Sequence, residues 1–281
     1  MTAIARISRV VADLDRAEAF YQAAMMFRPI RRAPVEDAVL AALGTGPAEE
    51  TVLRLGSQDI ALVRFASLGR RYPPDSRSND LWFQHLAIVV SDMDAAYAHL
   101  SALGGWQPIS EHGPETLPPE NEDVRAFKFR DPDGHPLELI WFPPGEGRDL
   151  WRKATSLGPF LGVDHSALAV ASTSRAVAFY RALGFTVSAR SLNHGPAQSR
   201  LDGLADANVQ VTGLRPATAE GAGLELLAYR PPGRTSDLRP NDIATDWVTL
   251  TGSPGASPTV LRDPDRHMVV VHGEGTAGSP A

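Results

Sequence analysis

The sequence predicts an α+β fold assembled from four repeats of about eighty residues, and three observations carry that expectation. A strand-then-helix phrase recurs: ARISRVVADLDRAEAFYQAA near the start, QHLAIVVSDMDAAYAHLSALG near residue 85 and DHSALAVASTSRAVAFYRALGF near residue 165. Each phrase is followed by strand-like segments with related endings, LRLGSQDIALVRF, FKFRDPDGHPLELIWF and VQVTGLRPATAEGAGLELLAY. The spacing is regular, because Arg6, His85, His165 and Trp247 follow one another at intervals of 79, 80 and 82 residues. The fourth position rests on matching SNDLWFQHLAIV to PNDIATDWVTL through a shared Asn-Asp, Asn79-Asp80 and Asn241-Asp242. Self-similarity at a fixed period marks a repeat architecture.

Each element has a local reason. In HLAIVV, the two-residue period of a strand puts His85, Ala87 and Val89 on one face and Leu86, Ile88 and Val90 on the other. Asp13, Ser91 or Asp92, and Ser172 stand where a side-chain oxygen can accept a helix's first amide hydrogens. Leu14, Ala17, Phe20, Tyr21 and Ala24 form the apolar stripe of a helix lying on a sheet, and Gly104 and Gly184 read as helix stops. DPDG at Asp131–Gly134 has hairpin chemistry. Its counterpart DPDR at Asp263–Arg266 puts arginine in place of glycine, which predicts a different or strained turn. The fourth repeat is worn: ATDWVTLTGSP has strand character but little helix signal, and VLRDPDRHMVVVHG closes it. Proline- and glycine-rich stretches punctuate the chain, at 142–160 near its middle and at GRRYPPDSRSND and RPPGRTSDLRPND before the second and fourth repeats.

Composition bounds the function. Hydrophobic residues at 43% and charged residues at 21% describe a soluble globular protein. No apolar run approaches the roughly 18 residues of a membrane span. A net charge of −6 without a dense basic stripe argues against nucleic acid as a partner. The start of the chain lacks a secretory core, and with no cysteine there is no disulfide, thiolate nucleophile or zinc–thiolate site. This fits a cytoplasmic protein. P-loop, GxGxxG, HExxH and GxSxG motifs are absent, and no organic cofactor is evident.

A strand beginning with His, a DLDRAEAFY-like helix and a closing DPDGHPLELIWF resemble the vicinal oxygen chelate superfamily, which includes glyoxalase I and the extradiol dioxygenases. The resemblance covers nearly the whole chain, strongest in repeats two and three. It implies βαβββ modules that pair into two cup-shaped mixed sheets with helices outside. It also implies two domains, at 1–149 (modules near 1–70 and 80–145) and 158–281 (modules near 160–235 and 240–275), with 142–160 as linker. Metal ligands in such proteins lie on the first and last strands of a module. Those positions hold Arg6 and Ala61, His85 and Glu138, His165 and Glu225, and Trp247 and Val270. Only repeats two and three keep both ligands, so a shared site requires those two repeats to face each other and the first to face the fourth.

Two imidazoles and two carboxylates suit one divalent ion, Zn, Ni, Co, Mn or Fe(II). The resemblance implies lyase or isomerase chemistry on a small substrate with vicinal oxygens. The ion would stabilise a developing enediolate while Glu138 or Glu225 shuttles a proton. A ring-cleaving dioxygenase is the alternative, against which stand Trp247 and Val270 at ligand positions. A non-catalytic small-molecule binder, of the antibiotic-sequestering type, is the third. The chain is expected as a monomer or homodimer. Among the other histidines, His99, His112, His135, His267 and His272 read as structural or exposed, and His194 as a residue bordering the cup. Arg6 reads as an anion holder or as the partner of a nearby carboxylate, and Trp247 as a ring filling a vacated metal site.

Overall fold

The computed structural model describes residues 3–117, 123–154, 156, 158–216, 221–235, 237–253 and 255–273. The first repeat runs β1 (Ile4–Val10), α1 (Leu14–Met25), β2 (Arg28–Pro34), α2 (Asp37–Leu43), β3 (Ala48–Leu55) and β4 (Gln58–Phe65). The second runs β5 (Gln84–Val90), α3 (Met93–Ser101), the short β6 (Gln107–Pro108) and β7 (Glu115–Thr116), β8 (Arg125–Arg130) and β9 (Pro136–Trp141). A short α4 (Asp149–Arg152) lies in the expected linker, whose residues 155 and 157 fall outside the described residues. The third repeat is β10 (Phe160–Ala169), α5 (Thr173–Ala182), β11 (Phe185–His194), α6 (Pro196–Asp202), β12 (Asn208–Pro216) and β13 (Gly223–Tyr229). The fourth is β14 (Asp246–Thr251), β15 (Thr259–Arg262) and β16 (Met268–His272), with no helix among the described residues. The stretch TGSPGASP supplies the reason, since proline removes a helix donor and glycine raises the entropy cost.

The caps are side-chain oxygens of Asp13, Asp92 and Ser172, which accept from the amides of Arg16, Ala95 and Arg175. Asp92, not Ser91, does this for α3. Helix α3 ends at Ser101 with Ala102 as its C-cap, ahead of Gly104, and the left-handed residue is Gly105 (φ 83°). Gly184 (φ 91°) follows α5 as expected.

Repeats one and four form a seven-stranded sheet, β15-β16-β14-β1-β4-β3-β2. Repeats two and three form a nine-stranded sheet, β11-β12-β13-β10-β5-β9-β8-β6, with β7 added beside β8. Each sheet therefore draws strands from both sides of residues 142–160. Four parallel strand pairs share one register: Ser8 faces Ala61, Ala87 faces Glu138, Ala167 faces Glu225 and Thr249 faces Val270. Each first-named residue lies two beyond Arg6, His85, His165 or Trp247, so the eight expected ligand positions are structurally equivalent.

One face of each sheet packs into a common core with the apolar stripes of α1, α3 and α5; Leu86, Ile88, Leu168 and Val248 share it with Leu14, Phe20, Leu100 and Tyr180. The opposite faces curve into two cups. The cup of repeats one and four is filled: Trp247, Ala61, Val270, Val52 and Phe65 pack against Val39, Leu40 and Leu43 of α2. Arg6 lies 3.9 Å from Glu50, the carboxylate-partner role.

The DPDG and DPDR turns are clamps. Asp131 Oδ1 accepts from the amides of Asp133 and His135, while His135 Nε2 donates to the Val10 carbonyl (2.8 Å) and the Ala12 amide donates to Asp133. In the other half, Asp263 Oδ1 accepts from the amides of Asp265 and His267. There His267 Nε2 donates to the Ala169 carbonyl (2.8 Å) and the Ala171 amide to Asp265. A closing turn from one sheet thus grips the strand–helix junction of the other, twice. The DPDR turn is the strained alternative: it keeps the 2.9 Å closing bond of Arg266 to the Asp263 carbonyl and holds Arg266 at φ 77°. The shared Asn-Asp is explained by a reciprocal latch. Arg70, before repeat two, binds buried Asp242, and Arg234, before repeat four, binds buried Asp80. Among the described residues no helix is long and apolar enough to cross a membrane.

Candidate functional site

The second cup is built differently from the first. Strands β5 and β10 run antiparallel at its centre, with Ala167 opposite His85 and His165 opposite Ala87. The small alanines leave room for both imidazoles, and the neighbouring strands β9 and β13 bring Glu138 beside Ala87 and Glu225 beside Ala167. All four expected ligands converge. Glu138 Oε2 lies 3.1 Å from His85 Nε2 and 3.8 Å from His165 Nε2, and Glu225 Oε2 lies 3.4 Å from His165 Nε2. Donor atoms of His85, Glu138 and His165 all fall within 4.8 Å of one another.

These contacts are not ordinary hydrogen bonds. His85 Nε2 and His165 Nε2 are both buried and lack an aligned hydrogen-bond partner. Buried polar nitrogens without partners are costly, and two of them beside a carboxylate are the donor set a divalent cation completes. The residues present therefore fit the ion their arrangement implies.

Electrostatics separate the two carboxylates. Burial alone would raise the pKa of Glu138, but His85 and the Lys128 ammonium hold it down at about 2. Lys128 Nζ sits 3.9 Å from Glu138 and 2.6 Å from Asp202, and is itself buried. The position matching Lys128 in repeat three is Gly213, which pairs with Glu225 as Lys128 pairs with Glu138. Burial and the nearby Glu138 raise the pKa of Glu225 against the pull of His165. Its side chain is 30% exposed to the cavity, against 8% for Glu138.

The histidines differ as well. Burial pushes His85 down to about 4, which leaves it neutral, the form that ligates. Burial would lower His165 too, but Glu225 and Asp164 reverse this and raise it. Asp164 Oδ2 lies 3.0 Å from His165 Nδ1 and 3.0 Å from Arg215, while Oδ1 accepts from Trp151 Nε1 (2.6 Å). Fixing Nδ1 in this way aims Nε2 at the carboxylates. The cavity in front of these groups measures about 330 Å³, with Ile140, Phe142, Leu201 and Leu227 among its walls.

Sequence reasoning missed Lys128, Asp164, Arg215, Arg148 and Trp151. The alternation in FKFR carries a signal for the first: Phe127 and Phe129 enter the core, so Lys128 must face the cup with Glu138. Asp164 directly precedes His165, but nothing in the sequence places Trp151 or Arg148 against it. His194 is exposed at the end of β11 and does not line the cavity, where Asn193 does. His99 bonds the Ala23 carbonyl, His112 is exposed, and His272 is buried 3.2 Å from Glu36.

Residues 3–139 match the family described as the Glyoxalase/Bleomycin resistance protein/Dioxygenase superfamily. The match spans repeats one and two, up to Leu139. Among solved structures, glyoxalase I from maize (Zea mays) superposes with a TM-score of 0.61 at 17% identity, covering 96% of this chain and 92% of that one. Variants of the same maize enzyme superpose at 0.62. A proposed dioxygenase from Bacillus subtilis gives 0.58 at 12% identity, covering 95% and 84%. At such identities the likeness shows the fold alone. No curated protein matches the chain.

Proposed function

We propose that the nine-stranded sheet holds the catalytic centre of a metal-dependent, glyoxalase-like lyase or isomerase acting on a small substrate with two adjacent oxygens. The observation that supports it most is the pair of buried, unpartnered Nε2 atoms of His85 and His165 converging with Glu138. These three residues would hold the ion, with Glu225 within reach as a fourth ligand. A bound divalent ion supplies Lewis acidity to the substrate's oxygens. The chain does the rest. Glu138, fixed by Lys128, stays anionic and keeps its place. Glu225, with its raised pKa and cavity-facing side chain, takes a proton from one carbon and returns it to the next. Ile140, Phe142, Leu201 and Leu227 supply the apolar part of the wall around it.

Elemental analysis of protein purified without chelators tests the reading. One divalent ion per chain is expected, lost in both His85→Ala and His165→Ala. A chain that takes up none of Zn, Ni, Co, Mn or Fe(II) would move the protein to the non-catalytic binders. A second reading is favoured by one specific feature: two histidines and one carboxylate form the tight group, the set that oxygen-activating Fe(II) enzymes use. Consumption of oxygen by iron-loaded protein with a catechol would favour that reading, and proton exchange without oxygen uptake the first.

A further inference from the structure

We propose that Gln198 and Tyr229 form a subsite for a hydroxyl group in the same cup, so that the substrate carries a further alcohol besides its two adjacent oxygens. The adjacent oxygens rest on the functional reading above, and the alcohol names the substrate class within it, a polyhydroxylated compound. Comparison of the two cups shows where polarity is added to a common scaffold. Helices α2 and α6 occupy equivalent places in repeats one and three, each 7 residues long and each followed by a left-handed glycine, Gly44 (φ 68°) and Gly203 (φ 60°). Counted back from those glycines, Val39 matches Gln198 and Leu43 matches Asp202. On the last strand, four residues beyond Ala61 and Glu225, Phe65 matches Tyr229. Val39, Leu43 and Phe65 belong to the apolar filling of the first cup, so the fold itself does not call for polar groups at these positions.

Asp202 has a reason of its own. It meets Lys128, which stands where the first cup has Val52, paired with Ala61 as Lys128 is with Glu138. Helix α6 reaches it by crossing onto repeat two, where Ser78 Oγ donates to the Asp202 carbonyl (2.8 Å) and Ser110 Oγ to that of Leu201 (3.0 Å). Lys128 Nζ then donates to Asp202 Oδ1 (2.6 Å) and Gln198 Nε2 to Oδ2 (2.7 Å). Because a carboxylate only accepts, the second contact fixes which way round the Gln198 amide stands. Its Oε1 is left buried and without a hydrogen-bond partner among the described residues. Tyr229 Oη is also buried without an aligned partner, and burial together with the nearby Asp202 raises its pKa. Gln198 is 3% and Tyr229 5% exposed, and both line the cavity. A buried acceptor left unpaired costs more than an apolar side chain of similar shape, which α2 shows the scaffold accepts. A ligand hydroxyl offsets that cost, since it can donate to Gln198 Oε1 and offer its lone pairs to Tyr229. The same cavity of about 330 Å³ is lined by Glu138, so one small molecule can meet both ends.

Titration followed by ligand NMR tests this on zinc-loaded and on chelator-treated protein. It compares 1,4-dihydroxybutan-2-one with 1-hydroxybutan-2-one, and 1,5-dihydroxypentan-2-one with 1-hydroxypentan-2-one. Each pair shares the adjacent oxygens and differs by one terminal alcohol. At one of the two chain lengths the alcohol is expected to tighten binding about tenfold, because the analogue without it leaves the acceptor unpaired. Gln198→Met, which keeps the bulk and removes the acceptor, should erase the preference. Tyr229→Phe should lower it about threefold, and it carries the test should Gln198→Met fail to fold. Equal affinities within both pairs would mean that water serves Oε1 and would overturn the subsite. A preference untouched by the variants, or no binding to any sample, would overturn it too. Zinc should tighten both members of a pair by the same factor. If zinc changes nothing while the alcohol preference stands, the functional reading falls and the subsite remains; the reverse pattern removes the subsite alone.

Discussion

Two glutamates one repeat apart, on equivalent strands, end up with different tasks because of what stands beside each. Lys128 flanks Glu138 and Gly213 flanks Glu225. Glu138→Gln should strip the ion, since it removes the charge that two buried imidazoles and Lys128 surround. Glu225→Gln should keep the ion and lose turnover by about 10²–10⁴. Metal analysis together with deuterium uptake from heavy water separates the two, and metal loss in Glu225→Gln alone would reverse the assignment. His135 gives a pH-dependent test of stability. Nε2 donates to the Val10 carbonyl and Nδ1 lies 3.1 Å from Asp246, an arrangement with an acceptor at each nitrogen. Burial would lower its pKa, but Asp246 and Asp131 raise it. The stabilisation is then complete below the unfolded value of about 6.5 and is lost as pH rises through the higher folded value. The melting-temperature gap between wild type and His135→Gln should be widest near about pH 6 and shrink toward about pH 9; a constant gap would mean that the imidazole is neutral.

At the scale of elements, the latches before repeats two and four hold the sheets in place through buried carboxylates. Asp242 is 1% exposed and accepts from the Arg70 and Arg239 amides as well as the Arg70 guanidinium. Asp242→Ala leaves those donors stranded and should cost about 2–4 kcal/mol, whereas Arg70→Ala, removing a half-exposed side chain, should cost about 1 kcal/mol or less. Urea denaturation reads both, and equal losses would place the energy in the ion pair. These elements also mark how far the sequence could be read. The repeat, the caps at Asp13, Asp92 and Ser172 and the stripe of α1 follow from periods of 2 and 3.6 and from spacing, while His85, Glu138, His165 and Glu225 were singled out by the resemblance to the vicinal oxygen chelate superfamily. The shared Asn-Asp was visible as a register mark, but its purpose was not, because Arg70 and Asp242 are distant in sequence. Arg9 shows the same limit: an arginine in an apolar strand is fully buried because Asp246, Tyr21 and the Pro136 carbonyl, from three separate repeats, surround it. Asp164's partners Trp151 and Arg148 come from a linker whose fold local pattern does not determine.

For the whole molecule, the question is whether two cups make two cooperative units. Each sheet crosses the middle of the chain, with β14 from the second half pairing β1 and β10 pairing β5. The two sheets back onto one core shared with three helices, and the DPD turns tie them again at Val10 and Ala169. Neither cup can open without exposing apolar surface that the other also buries, so the filled cup is the foundation on which the ligand-bearing cup stands. Chains of this length often unfold in stages, but here a single calorimetric transition is expected, with van't Hoff and calorimetric enthalpies in agreement. Zinc at about a hundred times its dissociation constant should raise that whole transition by about 2.7 kcal/mol. Trp247→Ala, in the cup without ligands, should lower the same transition by about 3–5 kcal/mol through the cavity it leaves. Two resolved transitions, only one moved by zinc and only the other by Trp247→Ala, would show that the sheets melt independently and that the shared core does not couple them.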